Sequence, residues 1–401
     1  MSKYSHLDGL RGVASFIVVI FHFFILGFYP NSTNNLYSFC QNNLPYPLDE
    51  LFFYNLFNFV DGKLAVFIFW VMSAYVISIK LFRNNKNSSR EYLISGASKR
   101  YLRLFLPCSA SILFAYLLMK FGLIFNDDAV IHFKQNLDNN WMKNLYEFSP
   151  TFFSAVKSAF WDTFFNFKEV SCYNTVLWTM EKEFFGSLFC FLAFFIIPLN
   201  HYRSIFYFIL LILFIYFNLI WMISFLVGYI LCDMDHSNMN DNVLEKFKKM
   251  EKWLFSNHKF FTSLGLLLIT IIIKPFLAQF ASYYVVNITT AILVVYLVLK
   301  IEMCYNFFNI RLFQWLGKIS FSLYLVHVPI MCSLCSFTSL KLPYDNIFLQ
   351  SLNMFFWIIF SLVIAQLFNK LIDERAVKIS NDFGKFILRC YYYGLFSLNN
   401  K

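Results

Sequence analysis

Four groups of polar residues stand where the surrounding chain is almost wholly apolar, and each is a set that can do chemistry. His22 follows Arg11 by eleven residues, a spacing that on a helix is ~16 Å along the axis and only ~20° around it, so both share one face. Far along the chain, Ser320, Tyr324 and His327 also recur at helical spacing, and His327 lies as deep in its apolar run as His22 does in its own. Imidazole is the side chain best suited to accept and return a proton near neutral pH. Two at one depth predict a shared polar cavity. Arg100 and Arg103 are one turn apart just before Pro107, and paired guanidinium forks grip phosphate while keeping their charge at any working pH. Glu181 and Glu183 open another apolar run; two residues apart they face opposite sides of a helix, and Glu183, set before Phe184 and Phe185, is the one expected to point inward.

The elements that must hold these groups are read from composition. Of 401 residues 59% are hydrophobic and only 14% charged, against about 25% charged in an ordinary soluble domain. The apolar residues run in long uncharged blocks, which excludes a soluble fold and predicts an all-α, polytopic membrane helix bundle. Ten spans are expected, near residues 13–29, 63–82, 104–124, 184–198, 204–217, 219–232, 261–280, 283–300, 318–337 and 347–369. The 29 residues Ser204 to Cys232 are too long for one span, and Asn218 is the expected break. The net charge of +10 reports sidedness rather than nucleic-acid binding. With the basic segment 83–103 inside, both termini are cytoplasmic. The longest outer loop, about 125 to 183, contains the aromatic stretch Phe152 to Phe167, which suits an interfacial or re-entrant helix. Residues 1–375 form one transmembrane domain and 376–401 a cytoplasmic tail. The nine cysteines fit no metal spacing and no metal is expected; Cys40 and Cys172, both in outer loops, are a candidate disulfide.

Taken in order, the motifs Asp8-Gly-Leu-Arg11-Gly through His22, Gly62 with Val66 to Ser73, Arg100-x-x-Arg103 to Pro107, Leu177-Trp178-Thr179 to Glu183, and Gly317-Lys-Ile-Ser320 through Tyr324-Leu-x-His327 resemble the acyltransferase 3 family of polytopic membrane acyltransferases. The resemblance covers nearly the whole chain. It departs at Ser73-Ala74, where relatives often have Ser-Gly. It implies a ten-helix bundle that moves an acyl group, commonly acetyl, from cytosolic acyl-CoA to a hydroxyl of a glycan, glycolipid or other acceptor. It also implies a catalytic first-span histidine, His22, and cofactor-binding arginines, Arg100 and Arg103 with Arg11. In this reading Glu183 orients an imidazole or the acceptor, while Tyr324 and Ser320 donate to the developing oxyanion and His327 assists His22. The location follows as a bacterial inner membrane or a eukaryotic cell membrane, with the lipid bilayer as partner and no nucleic acid. The rival reading is a proton-coupled secondary transporter, which would show inverted repeats or Gly/Pro-broken helix pairs; neither is visible in the sequence.

Overall fold

The computed structural model describes residues 4–23, 60–83, 86–133, 141–197, 202–236, 282–344 and 346–399, with isolated positions at 245, 246, 249 and 274. Among them the main helices are α1 (Ser5–Ile20), α2 (Gly62–Arg83), α3 (Lys86–Lys120), α4 (Asn126–His132), α5 (Phe152–Lys157), α6 (Trp178–Ile196), α7 (Arg203–Tyr216), α8 (Ile220–His236), α9 (Tyr283–Lys300), α10 (Glu302–Phe308), α11 (Arg311–Ile330), α12 (Ile347–Phe368) and α13 (Glu374–Asn399). Apolar runs of this length must satisfy every backbone N–H and C=O within the segment, and in lipid only a helix does so without a partner strand. Among the described residues six helical stretches are long and apolar enough to cross a membrane: Ser5–Phe23, Gly62–Arg83, Ser89–Lys120, Tyr283–Lys300, Arg311–Ser339 and Phe348–Tyr393. Helices α6, α7 and α8 also lie where spans are expected but fall outside that set. The expected span 261–280 lies outside the described residues except for Lys274, as do residues 24–59 with Cys40. The Cys172 thiol donates to the Glu169 carbonyl at 3.1 Å.

The break at Asn218 is present. Asn218 adopts φ +56°, a left-handed conformation that its short polar side chain tolerates. The Leu219 N–H bonds the Phe214 carbonyl at 2.8 Å and the Asn218 N–H bonds that of Ile215 at 3.1 Å, the paired closure of a Schellman end.

Glycines set the close approach of α1 to α10 and α11. A Cβ on Gly12 would run into the Gly317 backbone nitrogen, one on Gly317 into the Asp8 carbonyl, and one on Gly9 into the Phe308 carbonyl. Only residues without a side chain let α1 and α11 approach so nearly. The packing of α2 on α8 uses one glycine instead: Gly228 faces the Val71 carbonyl and the Ala74 methyl. Ala74, where relatives often carry glycine, is therefore accommodated by the missing side chain on α8.

Prolines create the second kind of junction. Pro329 lies within α11 and has no N–H to offer the carbonyl one turn back, that of Leu325. That carbonyl instead accepts from Ser111 Oγ of α3 at 2.8 Å and from Asn174 Nδ2 at 2.7 Å, while Asn174 Nδ2 also lies 2.8 Å from Ser111 Oγ. One orphaned acceptor thus joins three elements.

The aromatic stretch after residue 151 packs along α3, and the chain then returns along the same helix. Phe152 packs by Tyr116, Phe160 by Phe105, and Phe164 by Tyr101, after which Tyr173 returns to Tyr116. Phe153, Phe160 and Trp161 face outward and are exposed.

Helix α3 begins well before the expected 104. The segment 376–399 is helical and belongs to α13, which continues α12 through a π turn, Asn369–Asp373, and runs antiparallel to the first half of α3. Lys99 Nζ donates to Asn381 Oδ1 at 2.8 Å, Tyr392 donates to Glu91 Oε1 at 2.5 Å, and Gly384 lies against Ser95.

Candidate active site

Because Gly12 and Gly317 touch, and because a histidine follows each by ten residues on parallel helices, His22 and His327 meet. His327 Nε2 is 3.2 Å from His22 Nδ1, with ring centroids 5.0 Å apart. Each Nδ1 also faces a carbonyl of its own helix: His22 that of Val18 at 2.8 Å, His327 that of Leu323 at 3.0 Å. A carbonyl only accepts, so both neutral rings carry their proton on Nδ1. His327 Nε2 then holds a lone pair that accepts a share of the His22 Nδ1–H, and the lone pair of His22 Nε2 meets no partner among the described residues. This is the tautomer a general base or nucleophile requires. Trp141 packs over His22 with centroids 5.3 Å apart, and His327 is wholly buried.

Beside Tyr324, whose ring centroid is 6.0 Å from that of His327, lies a cavity of about 180 Å³. Arg11, Arg100, Arg103, Glu183, Ser320 and Tyr324 all line it. Six of the eight residues singled out from sequence therefore share one cavity, and the two histidines form a pair just beyond Tyr324. Arg100 Nη2 donates to Glu183 Oε1, and to Ser73 Oγ at 3.2 Å; Ser73 Oγ donates to the same carboxylate oxygen at 2.5 Å. Arg103 makes a fork with Asp373, at 2.5 and 3.4 Å, and stacks over Phe321. Arg11 is the least engaged, 3.7 Å from Asp8 and about one-third exposed.

Glu183 does not reach either imidazole. Helix α6 starts at Trp178 beside Trp70 and runs toward the end where α3 begins, which carries Glu183 down to Arg100. Tyr324 donates to the Val176 carbonyl at 2.7 Å and lies 2.9 Å from Thr179 Oγ1; Ser320 donates to the Gly317 carbonyl at 2.9 Å. An oxyanion role for either hydroxyl requires its present bond to be exchanged.

Sequence reasoning passed over four residues that the geometry brings in. Asp373 follows the last expected span and is the counter-charge of Arg103; the adjacent carboxylates Asp373 and Glu374 at the end of an apolar run were its signal. Ser73 and Thr179 stand inside the quoted motifs without an assigned role. Trp141 comes from a loop and carries no sequence signal at all. The family model for an acyltransferase domain matches residues 4–370. No curated protein and no solved structure matches the chain. With nearly the whole chain matched and its apolar helices packed in one bundle, this multi-pass membrane protein belongs to the acyltransferase 3 family.

Proposed function

We propose that the protein transfers an acyl group, acetyl in the first instance, from acyl-CoA to a hydroxyl of a glycan, glycolipid or other acceptor. The observation that carries this is the histidine pair. The His22 ring, held at Nδ1 by a backbone carbonyl and by His327, stands beside a cavity whose far end is lined by three arginines. The cavity is smaller than the ~300–1,000 Å³ that encloses a drug-sized ligand, which suits the reacting end of a donor whose nucleotide stays outside. Arg11 and the outer edges of Arg100 and Arg103 supply the charge for its phosphates.

The reaction runs as follows in this reading. The acceptor hydroxyl gives its proton to His22 Nε2 as its oxygen attacks the thioester carbonyl carbon. The carbon–sulfur bond breaks, and the departing thiolate takes the proton from the imidazolium. Transfer through an acyl-imidazole on the same nitrogen uses the same geometry. His327 holds the ring in its tautomer. The path from cavity to His22 passes Tyr324, whose bonds to Val176 and Thr179 must open or be exchanged.

In this reading the basic residues of segment 83–103 favour a cytoplasmic α3-start end by the positive-inside rule, with ten spans and both termini on that side. Cys390, exposed on α13, then reacts with an impermeant thiol reagent only after permeabilisation in a Cys40→Ser background; labelling of intact cells contradicts this sidedness. The activity is tested by incubating the purified protein with labelled acetyl-CoA and a total glycan and lipid extract. Label on a hydroxyl of an extracted molecule is expected, and recovery of all label as unreacted acetyl-CoA contradicts the reading.

A further inference from the structure

The cavity is polarised. Its arginines and Glu183 occupy one end, while Phe69, Trp70 and Tyr324 form the other, with Phe69 edge-on to Tyr324 at 6.4 Å between centroids. A thioester whose phosphates lie at the charged end presents its acyl group to the aromatic end. What limits the acyl chain is then the wall that yields least.

That wall is Trp70. The indole is 2% exposed and is held by four rings: Phe67 at 5.1 Å, Trp178 at 6.0 Å, and Trp221 and Phe225 each at 6.2 Å between centroids. Phe225 has no room to retreat, because it fills the space that a Cβ on Gly186 would occupy. Moving Trp70 aside therefore requires a repacking of α2, α6 and α8 together, and close-packed interiors resist this. Met180 and Leu104, also in the lining, are flexible or thin by comparison. We propose that Trp70 is the gauge of acyl-chain length, admitting acetyl and excluding longer chains. This rests on the acyl-CoA donor reading above.

The test is a competition experiment with the purified full chain in lipid nanodiscs. Labelled acetyl-CoA is displaced by CoA, acetyl-CoA, butyryl-CoA or octanoyl-CoA. The wild type should bind octanoyl-CoA at least about tenfold more weakly than acetyl-CoA, the low end of what one misplaced methylene costs in a tight apolar pocket. Trp70→Leu should bring that ratio within about threefold, and the milder Trp70→Phe should admit butyryl-CoA while still excluding octanoyl-CoA. Phe195→Ala, on an exposed face of α6, should leave the ratio where it was. Equal binding of acetyl- and octanoyl-CoA by the wild type overturns the gauge, as does an unchanged octanoyl-to-acetyl ratio in folded Trp70→Leu protein or an unchanged butyryl-to-acetyl ratio in folded Trp70→Phe protein. Failure of both CoA and acetyl-CoA to bind overturns the donor reading and the gauge together, whereas binding without chain-length discrimination overturns the gauge alone.

Discussion

The histidine pair and the arginine cavity are neighbours built on opposite principles. The geometry of the pair comes from backbone: two glycine-bearing helices in register, with a carbonyl of its own helix facing each Nδ1. The cavity is charged, and its geometry comes from ion pairs that bring together α3, α6 and the turn before α13. The difference teaches how each part tolerates change. A backbone register is lost by adding a methyl group, while an ion-pair scaffold is lost by deleting a charge, and neither kind of damage should imitate the other.

The largest expected effect comes from unpairing the cavity. Both side chains of the Arg100–Glu183 pair are largely buried, and removing one partner of such a pair typically costs about 3–5 kcal/mol, because the remaining charge stays buried without its counter-charge. Glu183→Gln should therefore lower the melting temperature sharply, and Glu183→Leu combined with Arg100→Met should recover most of the loss while still binding acyl-CoA poorly. An unshifted melt in Glu183→Gln would remove the ion pair from the scaffold.

A step smaller is the register. Gly317→Ala places a methyl group against the Asp8 carbonyl, and overpacking of this kind costs about 1–3 kcal/mol. It should also impair transfer more than donor binding, since it parts the histidines and leaves the ion pairs alone. Equal losses of binding and turnover would contradict the separation of the two regions.

The smallest effect is expected at their boundary. Thr179→Val removes one neutral hydrogen bond to Tyr324, worth about 0.5–1.5 kcal/mol. Because it loosens Tyr324 between cavity and histidines, it should change the transfer rate by more than it changes stability. A proportionate loss in both would make Thr179 purely structural.

Much of this arrangement was legible because helical periodicity converts sequence offset into depth. The equal depth of His22 and His327 in their apolar runs pointed to one level for both rings, and Asn218 breaks the overlong apolar block as its φ allows. Partners across helices were not legible. Nothing in the sequence pairs Arg103 with Asp373, 270 positions away, or turns Glu183 toward Arg100 rather than an imidazole. The antiparallel contact of α13 with α3 was hidden for a different reason. Its buried face is narrow, with Ala376, Ser380 and Gly384 inside, so charges on the remaining surface dilute the apolar signal that reveals a span.

The central claim is that His22 is the group that takes the proton or carries the acyl chain, and single-turnover transfer from labelled acetyl-CoA by purified His22→Ala protein tests it most directly. Transfer should fall by the ~10²–10⁴-fold typical of losing a general base, or further if His22 carries the acyl group. Affinity for CoA should stay near that of the wild type, and His327→Ala, which removes only the ring that orients it, should lose less. Substantial turnover by a well-folded His22→Ala protein would contradict the account.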